Sequence, residues 1–171
     1  HKDHVTVLES LKILRDKYNL KIKLVLTGDK FSSSSNIFDF INKYELNDQV
    51  LYLGKVPFKT LVALYKKSKF LITATLYESS SLPILEAAAS KTSIIASDTP
   101  PNLEMGNNLL INFFNAKDPK SLSETIYKIW NDKYLREEQI EYNFNNLDRY
   151  LWVSVANEYL KMFQDIKRIN E

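Results

Sequence analysis

Residues 70–97 read FLITATLYESSSLPILEAAASKTSIIAS, and this stretch decides the fold class. An apolar run over 70–73 fits a short buried strand, and a polar loop leads from it to a helix over 82–89 that is opened by Pro83. A second apolar run over 93–96 ends the stretch. Two buried strands joined by a helix form a unit whose strands run parallel and whose helix covers one face of the sheet. The stretch therefore predicts an α/β domain.

The same alternation of strands and helices extends in both directions along the chain. The further predicted elements are a helix over 5–14, strands over 22–27, 50–53 and 109–113, a helix that starts at Pro57 and carries Leu61, Leu64 and Tyr65, and helices over 119–131, 132–144 and 150–168, with loops at 32–35 and at Pro100-Pro101. This pattern predicts a Rossmann-like, three-layer domain with a mainly parallel sheet that ends in a long helix. Loops after residues 28, 54, 75 and 97 should then share the sheet edge where ligands bind.

Length and composition limit the function classes. The chain has 171 residues, which fits a single domain over 1–171, and its 44% hydrophobic and 26% charged residues are typical of a globular protein. A net charge of +2 is too weak to indicate a nucleic-acid partner. The chain has no cysteine, and both histidines lie at the N-terminus, so we expect no metal site. No apolar run approaches the roughly 20 residues of a membrane span.

Residues 77–87 carry the candidate chemistry. Glu78 lies in the predicted loop, and Glu86 lies one turn into the predicted helix, eight positions later. The small residues between them let a ligand approach the backbone, and the free N–H groups of a helix N-terminus bind phosphate. A carboxylate further along can accept hydrogen bonds from the vicinal hydroxyls of a ribose. The arrangement indicates a sugar–diphosphate–nucleoside ligand, whereas an exposed helix face is the simpler alternative for two glutamates alone.

This segment resembles the large GT-B family of retaining glycosyltransferases that is often called group 1. The C-terminal, donor-binding domain of that family carries a glutamate, seven residues and a second glutamate. Glu78 and Glu86 match that spacing, and Leu82-Pro83 and Glu86-Ala87 match the core of the motif. The resemblance also covers residues 24–28, 50–56, 64–73 and 94–98, Glu104, and the helix that follows Trp152.

The resemblance implies a role for each matching residue. Glu78 would be the catalytic residue near the reacting centre of the donor sugar, without being assigned as a nucleophile, and Glu86 would bind the ribose hydroxyls. The remaining donor-binding residues would be Gly28 in the turn after the first strand, Lys55 and Val56 beside the base, Ser79, Ser80, Ser81 and Leu82 along the sugar and diphosphate, and Lys2 on the diphosphate. For Lys2, a solvated terminal lysine is an equally good interpretation.

Two departures from the family pattern stand out. Ser79-Ser80-Ser81 replaces the usual Gly-Phe-Gly, which should change the shape of the sugar pocket. Lys91-Thr92-Ser93 replaces the usual Gly-x-Pro, which should affect the end of the motif helix more than the chemistry.

The resemblance implies that the intact protein transfers a glycosyl group from a nucleoside-diphosphate sugar to a glycan or lipid-linked glycan, with retention at the anomeric carbon, as in polysaccharide biosynthesis. The nucleotide sugar would be the donor substrate, and no cofactor is expected because basic groups would neutralise the diphosphate in place of a metal. The chain starts at His1, close to a helical pattern, and is interpreted as an inactive fragment without its N-terminal acceptor-binding domain. The protein would be cytoplasmic, and that domain could attach it to the inner face of the membrane.

Two other functions remain open at this point. A nucleotide-binding module without turnover is compatible with the serine replacements at 79–81. A nucleotide-sugar epimerase of the same fold would convert the donor when no acceptor is present.

Overall fold

The computed structural model describes residues 1–29 and 35–169. Its elements are α1 (His4–Tyr18), β1 (Leu24–Leu26), α2 (Ser35–Lys43), β2 (Val50–Tyr52), α3 (Phe58–Lys67), β3 (Phe70–Thr73), α4 (Leu82–Ala89), β4 (Ser93–Ser97), α5 (Pro100–Gly106), β5 (Asn112–Phe114), α6 (Pro119–Asn131), α7 (Lys133–Asn145), a 3₁₀ turn (Asp148–Tyr150) and α8 (Trp152–Ile169). The predicted loop over 32–35 falls outside the described residues, apart from Ser35, which begins α2.

All strand pairs among the described residues are parallel, as the alternation predicts. β1 pairs with β2, with Leu24 opposite Val50, whereas β3, β4 and β5 pair in that order, with Phe70 opposite Ser93. The strands therefore form two parallel sheets where the sequence predicts one. A cavity of about 900 Å³ lies between β1 and β3 and is lined by residues of both strands.

Strand β4 shows how the layers are arranged. All five of its residues are buried, as expected for a strand covered on both faces. Ile95 belongs to a core that also contains the apolar faces of α1 and α6, whereas Ile94 and Ala96 belong to a second core with Ile84 of α4. Successive side chains of a strand point to opposite faces, so the two cores lie on opposite sides of the sheet. The predicted three-layer arrangement is confirmed.

The prediction of a loop at Pro100-Pro101 is wrong. The structure has helix α5 there, with Thr99 at the N-cap position and proline in the first turn. Proline is tolerated in that turn because its missing N–H would have no partner inside the helix. Asn102 and Met105 are buried and attach α5 to the domain.

The fifth strand lies further along the chain than predicted, at Asn112–Phe114 in place of 109–113. The strand begins later because side chains of α7 form hydrogen bonds with the backbone of Leu110. Its N–H donates to Asn143 Oδ1 at 2.7 Å, and its carbonyl accepts from the side-chain amides of Gln139 and Asn143.

Helix α6 begins with a local cap. The Asp118 carboxylate accepts from the N–H groups of Lys120 and Ser121 at 2.9 and 3.0 Å, and Pro119 occupies the first turn. We expect Asp118→Ala to lower the free energy of unfolding by about 1 kcal/mol, because two amides lose their acceptor. Urea denaturation measures this change. Glu141→Ala, an exposed position within α7, is the matched control, and equal effects in the two variants would contradict the capping role.

Helix α8 carries an exposed apolar face. Trp152 is 87% exposed, and Tyr159, Leu160 and Phe163 are each more than half exposed. The sequence predicts a terminal helix here, and the structure confirms it, although these side chains do not pack into either core. Within residues 1–29 and 35–169, none of the helices has the length and apolar character needed to span a membrane.

Candidate functional site

The N-terminal segment and the loop after β3 meet at the carboxyl edge of the sheet. The Leu76 N–H donates to the carbonyl of His1 at 2.8 Å, and Lys2 Nζ lies 2.7 Å from Glu78 Oε2. Asp3, the next residue, caps α1, because its carboxylate accepts hydrogen bonds from the N–H and the hydroxyl of Thr6. This cap fixes the direction of the chain beside Lys2. The structure thus brings two of the sequence-predicted site residues into direct contact.

This ion pair can accommodate further partners. An ammonium group has three donors, and a carboxylate has two acceptor oxygens. Lys2 can therefore contact both Glu78 and an anionic group, and Glu78 can accept from a hydroxyl while it holds Lys2. The side chains of Lys2 and Glu78 are 42% and 20% exposed, so both can be reached from solvent.

Helix α4 begins next to this pair. Ser79, Ser80 and Leu82 are exposed, whereas Ser81 is buried and its hydroxyl has no hydrogen-bond partner within the described part of the chain. No acidic side chain lies in the first turn of α4. The Leu82 and Ile84 N–H groups donate to the carbonyls of Ser80 and Ser81, and Pro83 has no N–H, so α4 offers an anion the positive end of its dipole rather than free amides of its first turn.

Glu86 lies on α4 and is held by a residue of α3. The hydroxyl of Tyr65 donates to Glu86 Oε2 at 3.0 Å. Burial, and then the negative charge of Glu86, raise the pKa of Tyr65 well above its usual range, so this phenol keeps its proton and remains a donor. The sequence suggested Tyr65 only as part of an apolar helix face, where nothing distinguishes its hydroxyl from a solvated one.

The loops after β1 and β2 meet at the same edge. The Gly28 N–H donates to the carbonyl of Gly54 at 3.0 Å, and the Tyr52 hydroxyl donates to the carbonyl of Gly28 at 2.6 Å. Gly28 has a φ of 121°, a conformation that other residues rarely adopt. Lys55 and Val56 follow Gly54 directly, so the structure places the predicted base-binding residues beside the glycine turn.

The 900 Å³ cavity extends from the N-terminal segment to the glycine turn after β1. Its lining includes Lys2 of the ion pair, Gly28 of the glycine turn, Tyr65 beside Glu86, and Pro83 of α4. Of the ten sequence-predicted site residues, Lys2 and Gly28 line this cavity.

The ionisable side chains near this edge include Lys2, Glu78, Asp29 and His4. Burial lowers the pKa of His4, the first residue of α1, so that its imidazole is neutral near pH 7. Throughout the described ranges, no group of three or more His, Asp or Glu side chains is arranged to hold a metal ion.

Comparison with known proteins identifies the family. Residues 1–146 match the family model described as "Glycosyl transferases group 1". The chain belongs to this family. All ten sequence-predicted site residues, from Lys2 to Glu86, lie inside the matched range.

Individual relatives agree with this assignment. The O-antigen chain mannosyltransferase RfbU of Salmonella typhimurium is 33% identical over 129 residues, which cover 75% of this chain and 35% of that protein. Among solved structures, sucrose-phosphate synthase from Thermosynechococcus elongatus superimposes with a TM-score of 0.78 at 18% identity, over 98% of this chain and 44% of that one. Anabaena HepE, solved in complex with UDP, gives a TM-score of 0.79 at 15% identity, over 96% of this chain and 45% of that one.

These matches establish which part of the family fold the chain represents. The chain spans 35% of the length of the mannosyltransferase, 44% of the sucrose-phosphate synthase and 45% of HepE. Its fold is that of the C-terminal-type domain of GT-B group 1 glycosyltransferases.

Proposed function

We propose that the protein is a glycosyltransferase that moves a sugar from a nucleoside-diphosphate sugar to an acceptor, and that this chain supplies the donor site. The observation that carries the proposal is the 2.7 Å contact between Lys2 and Glu78 beside the N-terminus of α4. It puts a cation, a carboxylate and a helix dipole at one place, where a departing diphosphate and a sugar hydroxyl could be held together.

The diphosphate would be stabilised by Lys2 and by the positive end of the α4 dipole. Negative charge develops on the leaving phosphate as the glycosidic bond breaks, and fixed donors at that point lower the barrier. Lys2 can turn one of its N–H groups to the phosphate without leaving Glu78. No cofactor is required in this scheme, because the lysine and the helix dipole supply the positive charge.

Glu78 would orient the donor sugar by accepting from a hydroxyl near the anomeric carbon. We propose that the anomeric configuration is retained, as the family resemblance implies. The name of the Salmonella relative makes a mannosyl donor the first to test, with a glycan or lipid-linked glycan as the acceptor, as in polysaccharide synthesis. A second, N-terminal domain would complete the cleft on the acceptor side and could attach a cytoplasmic protein to the inner face of the membrane.

Glu86 would bind the ribose. Glu86 is partly buried on α4, about one turn beyond the start of the helix, where the diphosphate would lie. That spacing fits a ligand in which the ribose follows the phosphates. Lys55, Val56 and Gly28 would flank the base, at the loops after β1 and β2.

The test compares two alanine variants of the full-length protein. We expect Glu86→Ala to weaken the binding of nucleoside diphosphate by about 10- to 100-fold, because charge-assisted bonds to the ribose are lost. Glu78→Ala should change that affinity by less than about threefold, because a bare nucleotide lacks the sugar that Glu78 is proposed to hold. Calorimetric titration with UDP and with GDP measures both constants.

Glu141→Ala on α7 is the matched control for removal of a surface carboxylate and should bind like the wild type. The reverse result, in which Glu78→Ala weakens nucleotide binding and Glu86→Ala leaves it unchanged, would show that the two roles are assigned to the wrong residues. Conversion of the donor without an acceptor would indicate an epimerase, and binding without turnover under all conditions would indicate a nucleotide-binding module.

A further inference from the structure

The hydroxyl of Tyr65 is placed to control one oxygen of Glu86. It lies 3.0 Å from Glu86 Oε2, in a partly buried position between α3 and α4. Tyr65 and Glu86 are 21 residues apart in sequence, so the contact depends on how the two helices pack. A hydrogen bond from a neutral donor to a carboxylate is stronger than one between neutral groups.

The backbone of Tyr65 is itself anchored. Its carbonyl accepts from the hydroxyl of Thr92 at 2.8 Å and from the N–H of Ser68 at 3.0 Å. Thr92 is buried, and its own N–H donates to the carbonyl of Ala87, the residue after Glu86. The backbone of Tyr65 is thus tied through Thr92 to α4, the helix that carries Glu86. This connection limits movement of the tyrosine ring relative to Glu86.

A carboxylate on a flexible side chain binds a diol poorly when both of its oxygens rotate freely. A hydrogen bond to one oxygen fixes the plane of the carboxylate. The loss of side-chain entropy then occurs before the ligand binds, so it does not weaken binding. We propose that Tyr65 is the positioning residue of the ribose site, which holds Glu86 Oε2 so that the other oxygen faces the vicinal ribose hydroxyls. This inference rests on the proposed ribose role of Glu86.

The proton of Tyr65 is retained over the whole range in which the protein would be assayed. The raised pKa of Tyr65 follows from its burial and from the negative charge of Glu86. The hydroxyl therefore acts as a donor at every such pH. Its contribution to binding is specific for ligands that carry the diol, because it acts only through the glutamate.

The experiment measures selectivity for the diol. Wild type, Tyr65→Phe, Glu86→Ala and the double variant of the full-length protein are titrated with UDP, GDP and their 2′,3′-dideoxy analogues. Wild type should prefer the ribonucleotide by about 10-fold or more, and Tyr65→Phe should reduce that ratio by about 3- to 10-fold with unchanged affinity for the dideoxy form. Tyr65→Phe should add little in the Glu86→Ala background, because the tyrosine acts through the glutamate.

Tyr134→Phe, at an exposed tyrosine of α7, is the matched control and should leave the ratio unchanged. Equal weakening of both nucleotide forms by Tyr65→Phe would show a structural role in packing and would overturn the inference. An unchanged ratio in Tyr65→Phe together with a collapsed ratio in Glu86→Ala would overturn it as well, while the proposed function would stand. An unchanged ratio in Glu86→Ala would instead remove the ribose role of Glu86, and the inference with it.

Discussion

Glu78→Gln should reduce the turnover of the full-length enzyme by about 100-fold or more, with little change in its affinity for nucleoside diphosphate. Glutamine keeps the size of the side chain but removes the negative charge that holds Lys2 at 2.7 Å. The amide oxygen of glutamine can still accept a hydrogen bond from the sugar, but it is uncharged and is no longer oriented by an ion pair with Lys2. Lys2 loses its counter-charge and is freer to contact phosphate, so nucleotide binding should stay the same or become slightly tighter.

Turnover at saturating donor and calorimetric affinity for the nucleoside diphosphate are measured on the same preparations. Glu141→Gln on α7 makes the same change of charge away from the site and should retain wild-type turnover. A fall in turnover of less than about threefold for Glu78→Gln would contradict its place beside the reacting centre.

Gln139→Leu should lower the free energy of unfolding by about 3–5 kcal/mol, or prevent folding. Gln139 is buried on α7, and its amide bonds the backbone of β4 in the way a neighbouring strand would. Its Oε1 accepts from the Ile94 N–H at 2.9 Å and from the Ser93 hydroxyl, and its Nε2 donates to the carbonyls of Ile94 and Leu110 at 2.9 Å. Leucine fills the space but leaves the Ile94 N–H and the Ser93 hydroxyl without this buried acceptor, and the carbonyls of Ile94 and Leu110 each lose one of two side-chain donors.

Gln49 provides a matched control for this prediction. It is 2% exposed, and neither its side-chain oxygen nor its nitrogen has a hydrogen-bond partner among the residues that the structure describes. Gln49→Leu should therefore be neutral or stabilising, because an unpaired buried amide is removed. Urea denaturation of both variants decides the matter, and similar losses of stability would contradict the bonded role of Gln139.

Much of the fold could be predicted from local sequence patterns. The sequence predicts helix α6 over 119–131, and the structure has the same bounds. Its start is specified locally, because Asp118 caps the helix and Pro119 suits its first turn. β3 was predicted at its observed position, and β4 ends one residue beyond its prediction, because buried parallel strands are continuous apolar runs. The loop predicted at Pro100 failed because proline is compatible with both a loop and a first helical turn.

The candidate site was predictable as a set of residues but not as an arrangement. The spacing of Glu78 and Glu86 predicts both carboxylates as site residues, and the family resemblance separately predicts Lys2. The contact between Lys2 and Glu78 joins residues that are 76 positions apart. It forms because the segment before α1 and the loop after β3 meet at the carboxyl edge of the sheet. Tyr65 was missed, because a tyrosine in an apolar helix face has the same local pattern whether its hydroxyl meets water or a carboxylate.

Local sequence patterns specify the order of the elements, their parallel direction and the identity of the glutamates, because each depends on residues close together in the chain. The packing of distant segments, in contrast, sets where β5 begins and which side chain holds Glu86. Both depend on side chains from a distant helix, Asn143 at the Leu110 backbone and Tyr65 at the carboxylate. Whether a polar group bonds water or a distant partner is set by packing, since a local pattern specifies its position along the chain but not what packs against it.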